Sequence, residues 1–208
     1  MIAAPERSVE RDAAVEAVLA RVPMQGWTML ALRGALADIG AEPEDAELLF
    51  PGGAADMVEA FIDLTDRRME EQAASMDIAA LQAPARVRAL IARRLERNRP
   101  HKDAVRRALA VLAVPGNVAL SARCIGRTVD AIWHASGDRT TDFSWYTKRA
   151  TLAGVYAATL LYWLRDDGED DTATLEFLDR RLAGVGRVHR LRRRAEEALA
   201  RWRGRTAA

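Results

Sequence analysis

Few residues in this chain are placed to do covalent chemistry. The three histidines, His101, His134 and His189, lie far apart, and none has a nucleophile or acid at a spacing that would complete a catalytic set. There is no Gly-rich phosphate loop, no Gly-x-Ser-x-Gly elbow and no His-Glu-x-x-His pair. The Glu-x-x-His pairs of a carboxylate-bridged di-iron bundle are also missing. The lone cysteine, Cys124, can form neither an internal disulfide nor a cysteine zinc site, and it fits a reducing compartment. The acidic run Asp166–Asp171 lacks the alternating ligands and closing acid of a calcium loop. It reads as a turn whose acids favour a helix N-terminus. No catalytic residue and no metal ligand is therefore expected.

What remains is recognition. The stretch from Ile132 to Leu152 reads as the end of one helix, a polar turn and the start of another. Gly137 stands where a helix C-terminus needs a residue tolerant of positive φ. Thr141 and Asp142 offer side-chain oxygens to the free N–H groups of the next helix. Trp145 and Tyr146 then fall in that helix's first turn, a place that is usually wet. Two readings stand side by side. The aromatics fold back as an anchor between two core helices, or they face a partner.

The elements that must position this stretch are helices. The 208 residues are half hydrophobic, enough for a packed interior. Helical periodicity runs through almost every segment, and no stretch sustains strand-type alternation. Ser8 caps a first helix with Val15, Val18, Leu19 and Val22 on one face, ended by Pro23 and Gly26. Short helices follow over 29–38 and 44–50, separated by Gly40. A longer helix places Val58, Phe61, Ile62, Thr65 and Met69 on one face. Pro84 opens a helix with Val87, Leu90, Ile91 and Leu95 inward. The next carries Val105, Leu109 and Leu112. Many arginines lie between Arg86 and Arg107, either wet outer faces or a basic face towards anionic lipid. Pro115-Gly116-Asn117 opens a helix ending at His134, its stripe Val118, Ala122, Ile125, Val129 and Ile132. The helix after the polar turn is apolar nearly all round. It is either a buried bundle centre or one wall of a cavity. Leu175, Leu178 and Leu182 begin the last core helix.

The net charge of +1 excludes a global pull towards nucleic acid, but the charge is uneven. Arg187–Arg205 holds eight arginines against two glutamates, a charge of +6, which leaves −5 on the rest. This tail sets Val188, Leu191, Ala195, Leu199 and Trp202 on one face and arginines on the other. That is the pattern of a helix on an anionic membrane, or of one packed on its own domain with a wet face. The N-terminus has no apolar signal core. The longest apolar run, Leu152–Leu164, has 13 residues, too few to span a bilayer. Membrane contact is expected to be peripheral.

The residues Trp133-His134, Gly137-Asp138, Thr141-Asp142-Phe143 and Trp145-Tyr146-Thr147-Lys148-Arg149-Ala150 resemble the signature of one family. It is the ubiquinone (coenzyme Q) biosynthesis accessory proteins known as the ninth Coq protein, found in mitochondria and α-proteobacteria. The resemblance is dense over about 115–165, looser over about 10–75 and thin after 180. It implies an all-α, TetR-like bundle with a vestigial N-terminal helix-turn-helix. The expected divisions are a helix-turn-helix-like region over 7–52, a lipid-binding core over 53–186 and a basic amphipathic helix over 187–208. The second short helix carries Glu44, Asp45 and Glu47 after Glu42 and no cation, which repels phosphate, so no nucleic acid is expected.

The resemblance also implies a non-catalytic protein that holds an isoprenoid, quinone or phospholipid ligand and needs no cofactor. It implies docking on the di-iron demethoxyubiquinone hydroxylase through Asp142, Trp145, Tyr146 and Arg149. The lipid would meet Val118, Ile125, Val129, Trp133, Leu152, Tyr156, Leu160 and Trp163. Membrane lipids would meet Arg190, Leu191, Arg194, Leu199 and Trp202. The expected setting is cytoplasmic and peripheral, on the inner face of a bacterial inner membrane (the matrix side in mitochondrial relatives). A homodimer is expected by analogy with TetR-like bundles. The alternatives are a divergent TetR-type regulator sensing an apolar ligand and a structural scaffold without lipid.

Overall fold

The computed structural model describes residues 3–75, 78, 80–137 and 144–185, with the side chains of 144–146 left out. Among these residues every regular element is helical. Ser8 accepts the Arg11 N–H at 3.1 Å and starts α1, Val9–Val18. The helix stops there, short of Pro23. Pro23 instead opens a separate one-turn helix, α2 (Val22–Gln25), which Gly26 closes at φ 71°. A proline in the first turn loses no hydrogen bond, so it starts a helix more readily than it ends one. Thr28 accepts the Ala31 N–H and caps α3, Met29–Asp38. Gly40 follows at φ 75°. The helix expected over 44–50 is a 3-10 turn, Pro43–Asp45, followed by α4, Ala46–Leu49.

The long helix α5 (Gly53–Ala74) is the central post, packed on α1, on α6 (Ala83–Asn98), on α7 (Lys102–Leu112) and most extensively on α8 (Val118–Ala135). Met57, Val58, Phe61, Leu64 and Met69 are its large buried apolar residues, joined by Ala60 and Ala73. Trp27 ties three elements together. Its ring lies 5.2 Å from that of Phe61, and its Nε1 donates to the Ala104 carbonyl of α7 at 3.0 Å. Arg11 holds the first helices to the post. Its guanidinium lies 4.3 Å over the Phe50 ring, donates to the Leu49 carbonyl and pairs with Asp56 at 2.6 Å.

Helix α8 follows its expected stripe in part. Val129 and Ile132 are buried and Ile125 is half-buried, but Val118 and Ala122 are exposed, and Leu120, Cys124, Arg127, Thr128 and Ala131 are buried beside the stripe. The polar part of this face has partners on α5. Glu59 and Asp66 satisfy Arg127 and Thr128, so these polar residues turn inward.

The chain forms two compact units, Met1–Ala153 and Gly154–Ala208, with the boundary inside α9 (Ser144–Trp163). In the second unit, Val155, Tyr156, Thr159 and Trp163 of α9 are buried, as is Leu178 of α10 (172–185). Trp163 Nε1 donates to Asp171 at 3.0 Å, and the Tyr162 ring stacks on Phe177 at 4.5 Å. Asp170 and Asp166 accept the backbone N–H groups of Thr172 and Thr174. The acidic run is thus a helix-capping turn. Leu161 and Tyr162 are exposed, so α9 is not buried all round.

Candidate functional site

The α8–α9 turn is built from its two ends. Gly137 closes α8 at φ 76°, in the left-handed region that favours glycine. Arg86 of α6 donates to the Ser136 carbonyl at 3.1 Å and braces the same end. Asp142 lies outside the described residues. Trp145 and Tyr146 lie in the first turn of α9, and their side chains are likewise outside the description. One turn on, Arg149 pairs through Nε with Asp130 of α8. Lys148 stands 5.7 Å over the Trp133 ring. Arg149 and Lys148 therefore bind the first turns of α9 back to the last turns of α8, and Trp133 and Arg149 are drawn to one end of the α8–α9 pair. Of the four docking residues expected, Arg149 is the one whose side chain lies within the description.

Beside this turn lies a cleft of about 650 Å³. It is lined by Arg7, Asp63, Asp66, Glu70, Asp130, His134 and Arg149, among others. Arg7 grips Asp63 with two hydrogen bonds, at 2.6 and 2.8 Å, and Arg67 bridges Asp63 and Asp12. At the base, Asp66 is fully buried. It accepts from Arg94 Nε at 2.9 Å and from Thr128 Oγ1 at 2.8 Å. Burial pushes the Asp66 carboxyl above the usual carboxylate range, outweighing the pull of Arg94 and Thr128. Glu70 is also pushed up, first by desolvation and then by the Asp66 charge. The cleft can hold a small polar group, but most of its charges are already paired, Arg7 and Arg67 with Asp63, Arg94 with Asp66 and Arg149 with Asp130.

Sequence reasoning missed this ionic layer. Hydropathy counts Asp63, Asp66, Arg94, Arg127 and Thr128 as solvent-facing, yet all five are buried. A signal was present in the spacing. Asp66 falls one turn before Met69 on a buried side of α5, and Arg94 falls beside Leu90, Ile91 and Leu95 on the inward side of α6.

The residues expected to meet lipid are spread over both units. Val129, Leu152, Tyr156 and Trp163 are buried, and Ile125, Trp133 and Leu160 are half-buried. Val118 is 65% exposed. Arg190, Leu191, Arg194, Leu199 and Trp202 lie outside the described residues. Among the described residues no single helix is long and apolar enough to cross a membrane.

Residues 118–189 match the family model for COQ9. The chain is 32% identical to the mitochondrial ubiquinone biosynthesis protein COQ9 of Rattus norvegicus, over 80% of this chain and 55% of that protein. It is 31% identical to the human protein of the same name, over 80% and 54%, and 33% identical to that of Drosophila melanogaster, over 81% and 52%. The chain thus spans about half the length of the curated relatives it matches. Among solved structures it resembles a TetR transcriptional regulator from Nitrosomonas europaea, with a TM-score of 0.69 and 22% identity, over 85% of this chain and 97% of that one. The fold is an all-α, TetR-like bundle.

Proposed function

The chain belongs to the COQ9 family over residues 118–189, and from that premise we propose that it serves ubiquinone biosynthesis as a non-catalytic lipid-binding accessory protein. The carrying observation is the match itself, which spans α8, the polar turn and α9, and is joined by relatives named for that pathway. The proposed ligand is an isoprenoid or quinone precursor, or a phospholipid. Its proposed apolar surroundings within the first unit are Ile125, Val129, Trp133 and Leu152.

Physics supports a carrier of this kind. Burying hydrocarbon is worth about 0.8 kcal/mol per methylene, so a polyprenyl tail costs tens of kcal/mol to expose to water. Such a molecule has to travel between bilayer and enzyme through apolar contact. In this reading Asp142, Trp145, Tyr146 and Arg149 dock the demethoxyubiquinone hydroxylase. Aromatic and arginine residues are the usual anchors of such interfaces. The basic segment 187–208 rests on the inner face of the membrane, and the protein works as a homodimer.

A DNA-binding role does not follow from the fold. Glu42 and the exposed residues Glu44, Asp45 and Glu47 of the 3-10 turn and α4 oppose approach to phosphate.

The reading is tested by native extraction and mass spectrometry of the purified protein. A co-purifying quinone, isoprenoid or phospholipid near one per chain is expected, and an empty protein refutes the carrier. A companion measurement is hydroxylase pull-down with Trp145→Lys. Binding is expected to be lost while the melting temperature holds. A fall in stability with binding kept assigns Trp145 to an internal anchor instead.

A further inference from the structure

The corner between α7 and α8 is left uncovered and is apolar. Helices over Ala83–Leu112 and Pro115–Ala135 meet there at 93°. Val114 is 51% exposed and Val118 is 65% exposed, and they flank Pro115 and Gly116, which are exposed too. Ala113, Ala119 and Ala122 extend the same surface. These two β-branched residues leave half or more of their surface in water. The corner therefore exposes an apolar patch larger than its packing requires.

Charge identifies the occupant. From Arg97 to Val129 the chain holds seven cations and a single acid, Asp103, a formal charge of +6. No acid at all occurs between Asp103 and Asp130. Arg107 is exposed on α7, two turns before Val114, and its Nη2 donates to the neutral Pro23 carbonyl, so its charge is not cancelled there. Arg123 follows Val118 on α8, half exposed and 3.8 Å from a Glu59 that Arg127 holds at 2.7 Å. An apolar tip flanked by Arg107 and Arg123, in a segment with no acid between Asp103 and Asp130, suits the boundary between anionic headgroups and acyl chains. The valines can enter the hydrocarbon edge while the arginines meet phosphate.

We propose that the α7–α8 corner inserts into an anionic bilayer, with Val114 and Val118 as the wedge and Arg107 and Arg123 as headgroup contacts. This contact belongs to the body of the protein. It is separate from the basic segment 187–208 and does not depend on lipid being carried inside.

The test uses the full chain and vesicles of phosphatidylcholine with phosphatidylglycerol. Val114→Asp with Val118→Asp is expected to weaken co-sedimentation about tenfold, since it removes two inserted side chains and adds two repelled charges. Both positions are exposed, so the melting temperature should not move, and V114A/V118A serves as a milder second variant. A fluorophore on Val118→Cys should shift to the blue when these vesicles are added. The native thiol will not compete, because Cys124 is 2% exposed and burial pushes its pKa up to about 11. Unchanged vesicle binding by V114D/V118D, with no blue shift, overturns the wedge. If binding is then lost on neutralising the arginines of 187–208, the membrane role of that segment still stands. Retained vesicle binding with lost hydroxylase binding reassigns the corner to a protein partner and also overturns the proposal.

Discussion

Thr128→Val probes the buried charge layer at the base of the cleft. The substitution nearly conserves volume and removes one atom with one task, the Thr128 Oγ1 hydrogen bond to Asp66 Oδ2 at 2.8 Å. Both residues are buried, so water cannot replace the donor. A hydrogen bond to a charged group is worth about 1.5–3 kcal/mol. For a chain of this length each kcal/mol moves the melting temperature by about 2–4 °C, so a fall of about 3–12 °C is expected at neutral pH. The pH dependence sharpens the test. The folded-state pKa of Asp66 is raised, so the stability linked to its protonation is fully present below the unfolded carboxylate value of about 3.9. It is lost as pH rises through the folded value. Thr128 pulls that folded value down, so the variant raises it further and loses more at neutral pH than in acid. Urea denaturation at pH 7.5 and pH 4.5 should show a smaller difference between variant and parent at the lower pH. An equal difference at both values, or less than about 0.5 kcal/mol at pH 7.5, would refute the claim that this hydrogen bond supports a buried carboxylate.

Trp163→Phe keeps an aromatic in the second unit but deletes the 3.0 Å hydrogen bond to buried Asp171. A loss of about 1.5–3 kcal/mol is expected in urea denaturation, and a loss near zero means the indole N–H contributes nothing there. Gly137→Ala forces a side chain into the left-handed region at φ 76° and sets a new Cβ 3.3 Å from Arg86 Nη1. It should cost about 1–2 kcal/mol, while Gly137→Asn, which tolerates this region, should cost less. Equal melting curves for the two would count against a conformational role for Gly137.

Local structure was legible wherever a single side chain decides it. Ser8 caps a helix because it carries an oxygen one turn before free N–H groups. Gly137 takes positive φ because it lacks a Cβ. The family signature was legible for a similar reason, since Trp133, Gly137 and the run Trp145–Ala150 are adjacent in the chain. What failed was Pro23, read as a terminator although proline also starts helices. The inward face of α8 was legible only in part. Val129 and Ile132 of its hydropathy stripe are buried, but the same face also carries Arg127 and Thr128, whose burial depends on acids 62 to 68 residues away.

The amino-acid sequence by itself determined that this chain is helical, where most of its helices begin, and which family its stretch 118–189 matches. Those properties depend on neighbours three or four positions apart and on residue identity. Only the tertiary structure decided which polar groups go inside and which apolar groups stay out. A buried Asp66 is tolerable once Arg94 and Thr128 arrive from other helices, and an exposed Val114–Val118 corner appears only after α7 and α8 have turned their other faces to α5. Partners distant in sequence set the cost of burying each group, and the fold brings them together.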